Sequence, residues 1–155
     1  MVELRVMTNL KKTLSKKNYV SIKLKKTKTN HLELKGFIND VKGRFILDTG
    51  ASNSCVGIDL KEHFKLEAED SETKAAGAGA VGMDTQESKN NTLKLGDWKM
   101  KKFNLVLFDL SHVNSALEQH DVEKVDGIIG ADILEKGKAI IDYKKKLLYL
   151  KKSKK

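Results

Sequence analysis

The chain has 155 residues, 39% apolar and 33% charged, a balance that fits one globular domain with a real core and excludes a disordered chain. No apolar run approaches the length of a membrane span, and the first ten residues lack a signal-peptide core, so membrane and secretory classes are set aside. Cys55 is the single cysteine, which forbids an internal disulfide and points to a reducing, cytoplasmic setting; the four histidines show no metal-ligand spacing, so neither metal nor cofactor is expected.

The net charge of +9 is unevenly placed. Residues 1–28 carry nine basic side chains and one acid, as do residues 136–155, whereas the stretch between them balances to −7. Nucleic acid is an available partner for such ends in principle. Against it, the lysines are not interleaved with aromatics, only Arg5 and Arg44 are arginines, and no nucleic-acid motif occurs. Solvated basic termini are the simpler reading.

In chain order, residues 1–17 read as a lysine-rich arm, either a short helix or a loose segment, ahead of a domain spanning 18–150 and a basic tail at 151–155. Tyr19 to Leu24 alternates as a strand, and Leu32 to Ile38 is a second. Asn39 to Gly43 forms the hairpin turn into a third, Arg44 to Leu47. A short apolar segment, Cys55 to Ile58, precedes a helical turn over 59–64 and an acidic patch at 67–72. Small residues fill 75–82. Thr92 to Leu95 and Met100 to Phe108 are strands separated by Gly96-Asp97-Trp98, and the polar stretch 111–124 reads as loop plus a short helix. Val125 to Leu134 runs from a buried strand through Gly130 into a helix, and a hairpin follows, from Ala139–Tyr143 through Lys144–Lys146 to Leu147–Leu150. Many short strands without strand–helix alternation predict a mostly β domain.

Chemistry concentrates where the third strand ends in Asp48-Thr49-Gly50-Ala51-Ser52. An apolar run carries Asp48 to a tight loop, and Gly50 permits a turn that other residues resist. A carboxylate delivered there needs local hydrogen bonds or a chemical role. Hydrolysis of an amide without a metal or a covalent nucleophile needs one base to activate water and one acid to protonate the amide. Two adjacent carboxylates sharing one proton supply both. The Asp-Thr-Gly triplet occurs once, so one chain holds half of such a pair.

The Asp48–Ser52 motif, the small-residue segment some 25 residues later, and Ile128-Ile129-Gly130 running into a helix together resemble the retropepsin-like aspartic peptidases, in their cellular and bacterial branch. The resemblance spans about Tyr19 to Leu150. It implies an acid-protease barrel with one short C-terminal helix, assembled as a homodimer whose twofold axis brings two copies of Asp48 together. It also implies site roles. Asp48 is the catalytic acid and base, Thr49 buttresses the loop across the axis, and Gly50 offers its N–H to the carboxylate. Ala51 completes the loop, and Ser52 bonds the outer carboxylate oxygen. Gly77, Ala78, Gly79, Ala80, Val81 and Gly82 form the tip of a flap over an extended peptide or protein substrate, while Ile128, Ile129 and Gly130 pack beneath the loop. Asp126 and Asp132 read as a turn residue and a helix-start carboxylate, Trp98 as an anchor, and Cys55 as packing. The implied activity is that of an aspartic endopeptidase; the alternative is a dimeric binding or scaffold module that kept the fold and lost turnover.

Overall fold

A computed structural model describes residues 9–71 and 85–153. Helix α1 (Leu10–Lys16) precedes strands β1 (Tyr19–Lys23), β2 (Lys25–Lys26), β3 (Leu32–Ile38), β4 (Val41–Leu47) and β5 (Cys55–Gly57). A 3-10 turn (Ile58–Leu60) leads to β6 (Glu69–Ser71), β7 (Thr85–Leu95) and β8 (Trp98–Phe108). Helix α2 (Ser111–Gln119), β9 (Gly127–Ile129), helix α3 (Ala131–Lys136), β10 (Ile140–Asp142) and β11 (Leu147–Lys151) complete the chain.

Eight strands pair in the order β2-β3-β4-β9-β5-β8-β7-β6, and a further β3–β7 pairing closes six of them into a barrel. The interior is filled by alternating residues of the facing strands, among them Ile38, Phe45, Val56, Leu95, Leu107 and Ile129. A second apolar cluster, with Ile46, Cys55, Phe108, Leu117 and Ile128, lies where α2 covers the other face of β4, β5 and β9. The remaining strands form a separate antiparallel sheet, β1-β11-β10. Trp98 ties the two sheets together: it is buried, and its Nε1–H donates to the Lys151 carbonyl at 3.0 Å.

Several boundaries differ from the sequence reading for identifiable reasons. The β3–β4 turn is only Asn39-Asp40, with φ of 50° and 67°, and Ile38 pairs Val41. Two positive φ values define the tight hairpin turn that matches strand twist, so β4 begins at Val41 rather than Arg44. Likewise Gly96-Asp97 alone turns β7 into β8, and Trp98 is the first residue of β8. There are three α-helices among the described residues, where the resemblance implied one. The polar 111–119 stretch is a helix because Leu117 anchors it to the core, and α1 forms because Leu14 is buried and Asn9 caps Lys12 N–H.

Candidate active site

The barrel delivers Asp48 through a parallel pairing. β4 and β9 lie side by side with Phe45 opposite Gly127, Ile46 opposite Ile128 and Leu47 opposite Ile129. Both chains leave the sheet at the same end, and the two loops that follow are bonded to each other. Asp48 N–H donates to the Ile129 carbonyl at 3.0 Å, and Ala131 N–H donates to the Ala51 carbonyl at 2.7 Å. The Asp48 loop itself is closed by Ala51 N–H on the Asp48 carbonyl at 3.2 Å. Glycine is required where these loops touch, since a Cβ on Gly130 would stand 2.6 Å from the Ala51 oxygen, and again where β9 meets β5, since one on Gly127 would overlap the Cys55 oxygen. Ile128 and Ile129 are buried beneath, on opposite faces of β9, one in each apolar cluster.

Gly50 N–H donates to Asp48 Oδ1 at 2.9 Å, which orients the carboxylate toward the loop. Asp48 is half-buried, Thr49, Gly50 and Ser52 are exposed, and Ala51 is buried. Among the described residues the Ser52 hydroxyl has no hydrogen-bond partner; the serine that organises the loop is Ser54. Its hydroxyl accepts from Gly130 N–H at 2.8 Å and donates to Asp132 Oδ1 at 2.7 Å, while its own N–H reaches both Asp132 oxygens at 3.0 Å. Asp132, in the first turn of α3, also accepts from Ile133 N–H at 2.8 Å. One carboxylate thus ties the loop after β4 to the helix after β9. Sequence reasoning named Asp132 as a helix-start residue but passed over Ser54, whose only signal was a serine within reach of that carboxylate once the strands pair.

Asp126 serves the sheet: its side chain accepts from Arg44 N–H at 2.9 Å, and its N–H donates to the Arg44 carbonyl at 2.8 Å. Cys55 is buried, and that burial above all, with the Asp132 and Asp48 charges adding to it, pushes its thiol up to about 12. A thiol so held is a packing group rather than a nucleophile. The segment Gly77 to Gly82 lies outside the described residues. Among the described residues no group of three or more His, Cys, Asp or Glu side chains is arranged to hold a metal, and no helix is long and apolar enough to cross a membrane.

Beside the loop, Thr49 lines a shallow, mainly apolar groove with Ala131, Leu134, Ala139 and Ile141. The edge strand β10 borders it, with Ile140 exposed and Tyr143, just beyond, 74% exposed.

A closed β-barrel whose two parallel strand ends hold a glycine-bearing Asp loop is the retropepsin-like aspartic protease fold. Residues 34–133 match the aspartyl protease family, and the chain belongs to it. Its structure is similar to the retropepsin-like aspartic protease from Rickettsia conorii, with a TM-score of 0.56 and 19% identity over 85% of this chain and 87% of that one. It is also similar to the retroviral protease-like domain of Ddi1 from Leishmania major, with a TM-score of 0.52 and 18% identity over 77% and 87%. No curated protein sequence matches it.

Proposed function

We propose that the protein is a homodimeric aspartic endopeptidase in which two copies of Asp48 activate one water between them. The observation that carries this reading is the Asp48 loop: a half-exposed carboxylate at the end of β4, oriented by Gly50 N–H, on a support of buried and part-buried hydrogen bonds. Rigid support with an accessible carboxylate is what a catalytic group needs. One such carboxylate per chain calls for a second copy. In the paired site, like charges held close share one proton. The ionised member takes a proton from water as it attacks the scissile carbonyl, the protonated member hydrogen-bonds that carbonyl oxygen, and a proton passes to the leaving amine. No metal or cofactor is needed for any of these steps.

The groove beside Thr49 suits the second copy. Thr49 is exposed next to apolar Ala131, Leu134 and Ile141, and β10 offers an unpaired edge there. An antiparallel pairing of two β10 strands about Ile141 sets Tyr143 of one copy opposite Ala139 of the other, so the exposed ring covers the groove. Substrate would bind as an extended strand across the joint site, which favours peptides or unfolded protein segments. The setting is proposed to be cytoplasmic.

The test is digestion of a peptide library between about pH 4 and pH 7 by the native chain and by Asp48→Asn, which keeps the shape and removes the shared proton. Cleavage by the native protein alone, with sedimentation as a dimer, is the expected result. Equal cleavage by both proteins, or an active monomer, overturns the assignment. A folded dimer that cleaves nothing favours the binding or scaffold module.

A further inference from the structure

A gap separates the barrel strand β3 from β1 of the neighbouring β1-β11-β10 sheet. On its outer edge β3 pairs with β2 only at Leu32 and Glu33, and with β7 only at Phe37 and Ile38. Thr27 N–H donates to His31 O at 2.9 Å, and Asn39 N–H donates to Thr92 O at 3.0 Å. These bonds set the odd-numbered residues of β3 as those whose peptide groups point away from β4, because the direction alternates along a strand. Lys35 therefore presents its N–H and C=O to the gap with no ladder partner. Across the gap, β1 pairs only with β11. Leu24 N–H on Lys146 O and Lys152 N–H on Asn18 O, both at 2.9 Å, show that even-numbered residues of β1 face β11. The peptide groups of Ser21 and Lys23 are then the ones left free, and they face the same space.

That space is a cavity of about 530 Å³, lined by Ser21, Lys23 and Lys35 among others and closed at one end by Gly96 of the β7–β8 turn. Its apolar lining is Ile22, Leu24 and Leu34, whose side chains belong to the core cluster. Its charged lining is one-sided. Lys23, Lys25 and Lys35 are exposed and form no ion pair among the described residues, whereas the one carboxylate, Glu33, is buried and faces Arg44 at 3.8 Å. Arg44 is itself shared with Glu123. With Glu33 and Glu123 set against Arg44 and the three lysines, the site keeps a net charge of +2.

We propose that this cavity is a docking site for an extended acidic peptide segment. Unpaired strand edges recognise a backbone by strand addition, and alternate side chains of the added segment face opposite ways. An apolar residue flanked by Asp or Glu places its side chain on the Leu24–Leu34 lining and its carboxylates among Lys23, Lys25 and Lys35. Left open, such edges are a liability for pairing with other chains, and lysines are one way proteins restrict what can pair there. The site lies apart from the Asp48 loop. Arg44 and Lys35 face each other across β4 and β3, and Asp48 is four residues further along, about 13 Å at the rise of a strand. Occupancy here does not require turnover at Asp48, and the Asp48→Asn protein binds equally well.

The probe is a fluorescein-labelled, end-capped Asp-Glu-Leu-Glu-Asp peptide, titrated with the full chain and followed by anisotropy. Saturable binding with one peptide per chain is expected. Lys23→Glu/Lys35→Glu weakens it by at least about tenfold, while Lys11→Glu/Lys136→Glu, equal in charge change but outside the cavity, leaves it within about twofold. Circular dichroism of both variants verifies that the fold is retained. A peptide with N-methyl groups on alternate amides, which tests strand addition with the native protein, loses binding. Three results overturn the proposal: no saturable binding, equal loss in the two charge variants, or unchanged affinity for the N-methylated peptide. Tighter, Lys35-dependent binding of a single-stranded oligonucleotide of equal charge overturns it as well.

Discussion

Replacing Asp132 by alanine tests whether the Asp48 loop is held as described. The Asp132 carboxylate is the acceptor for Ser54 N–H, the Ser54 hydroxyl and Ile133 N–H. Ser54 is fully buried, so two of those donors have no access to water once the carboxylate is gone. A buried donor left unsatisfied costs about 1–3 kcal/mol, more where the lost partner was charged. Ile133 is buried as well, so its N–H, which has no intrahelical acceptor in the first turn of α3, is a third such donor. The expected loss is therefore about 3–5 kcal/mol, against a total of about 5–15 kcal/mol for a domain. Asp132→Asn keeps one acceptor oxygen and loses about half as much. Urea unfolding of the three proteins measures this directly, as a lower midpoint with an unchanged slope. A double-mutant cycle with Ser54→Ala isolates the pair, with an expected coupling of about 1.5–3 kcal/mol. An Asp132→Ala loss below about 1 kcal/mol, or additivity with Ser54→Ala, would refute the argument.

Gly130→Ala places a methyl 2.6 Å from the backbone oxygen of Ala51 and forces the two loops apart; a loss of about 3 kcal/mol in the same assay is expected, and a neutral result would contradict the loop contact. With its thiol pushed from 9.0 to about 12, Cys55 should resist iodoacetamide at pH 8 in the native state, by at least about a hundredfold relative to the urea-unfolded chain, as read by mass spectrometry. The sign of the linked pH effect follows: below pH 9.0 both states hold the proton and folding is unaffected. Between 9.0 and about 12 the unfolded chain releases it first, so this group lowers stability by about 1.4 kcal/mol per pH unit. The Tyr149 hydroxyl is buried without a hydrogen-bond partner among the described residues, and burial pushes its phenol up. Tyr149→Phe should leave stability unchanged or raise it by up to about 1 kcal/mol, and a clear loss of thermal stability would reveal a partner for that hydroxyl. Tyr143→Lys should weaken the proposed dimer at least about tenfold by sedimentation, with monomer unfolding unaltered.

Most strands were legible because their pattern is local. Leu32–Ile38 and Leu147–Leu150 have apolar spacing and β-branched or aromatic content that a strand needs, and both stand in the structure almost as read. Boundaries failed where turn geometry decides them: nothing in Asn39-Asp40-Val41 says which residues carry positive φ until β3 and β4 pair in register. Helix α2 was partly hidden because its sequence, Ser111–Gln119, has a weak apolar face and depends on Leu117 finding a core built from distant strands.

What the amino-acid order determined alone is the chemistry on offer: one Asp-Thr-Gly after an apolar strand, one Ile-Ile-Gly before a helix, one cysteine, and lysine-rich ends. These are local facts, since a strand, a tight turn and a carboxylate at its end need only neighbouring residues. Tertiary structure alone decided which groups meet. The parallel pairing of β4 with β9, 82 positions apart at Phe45 and Gly127, brings Ser54 to Asp132 and makes Gly130 obligatory. The incomplete pairing of β3 leaves Lys35 facing Ser21 and Lys23 across an open cavity. Neither follows from local propensity, because both are set by which strands share an edge and in what register, and that choice is made by burying the whole core at once.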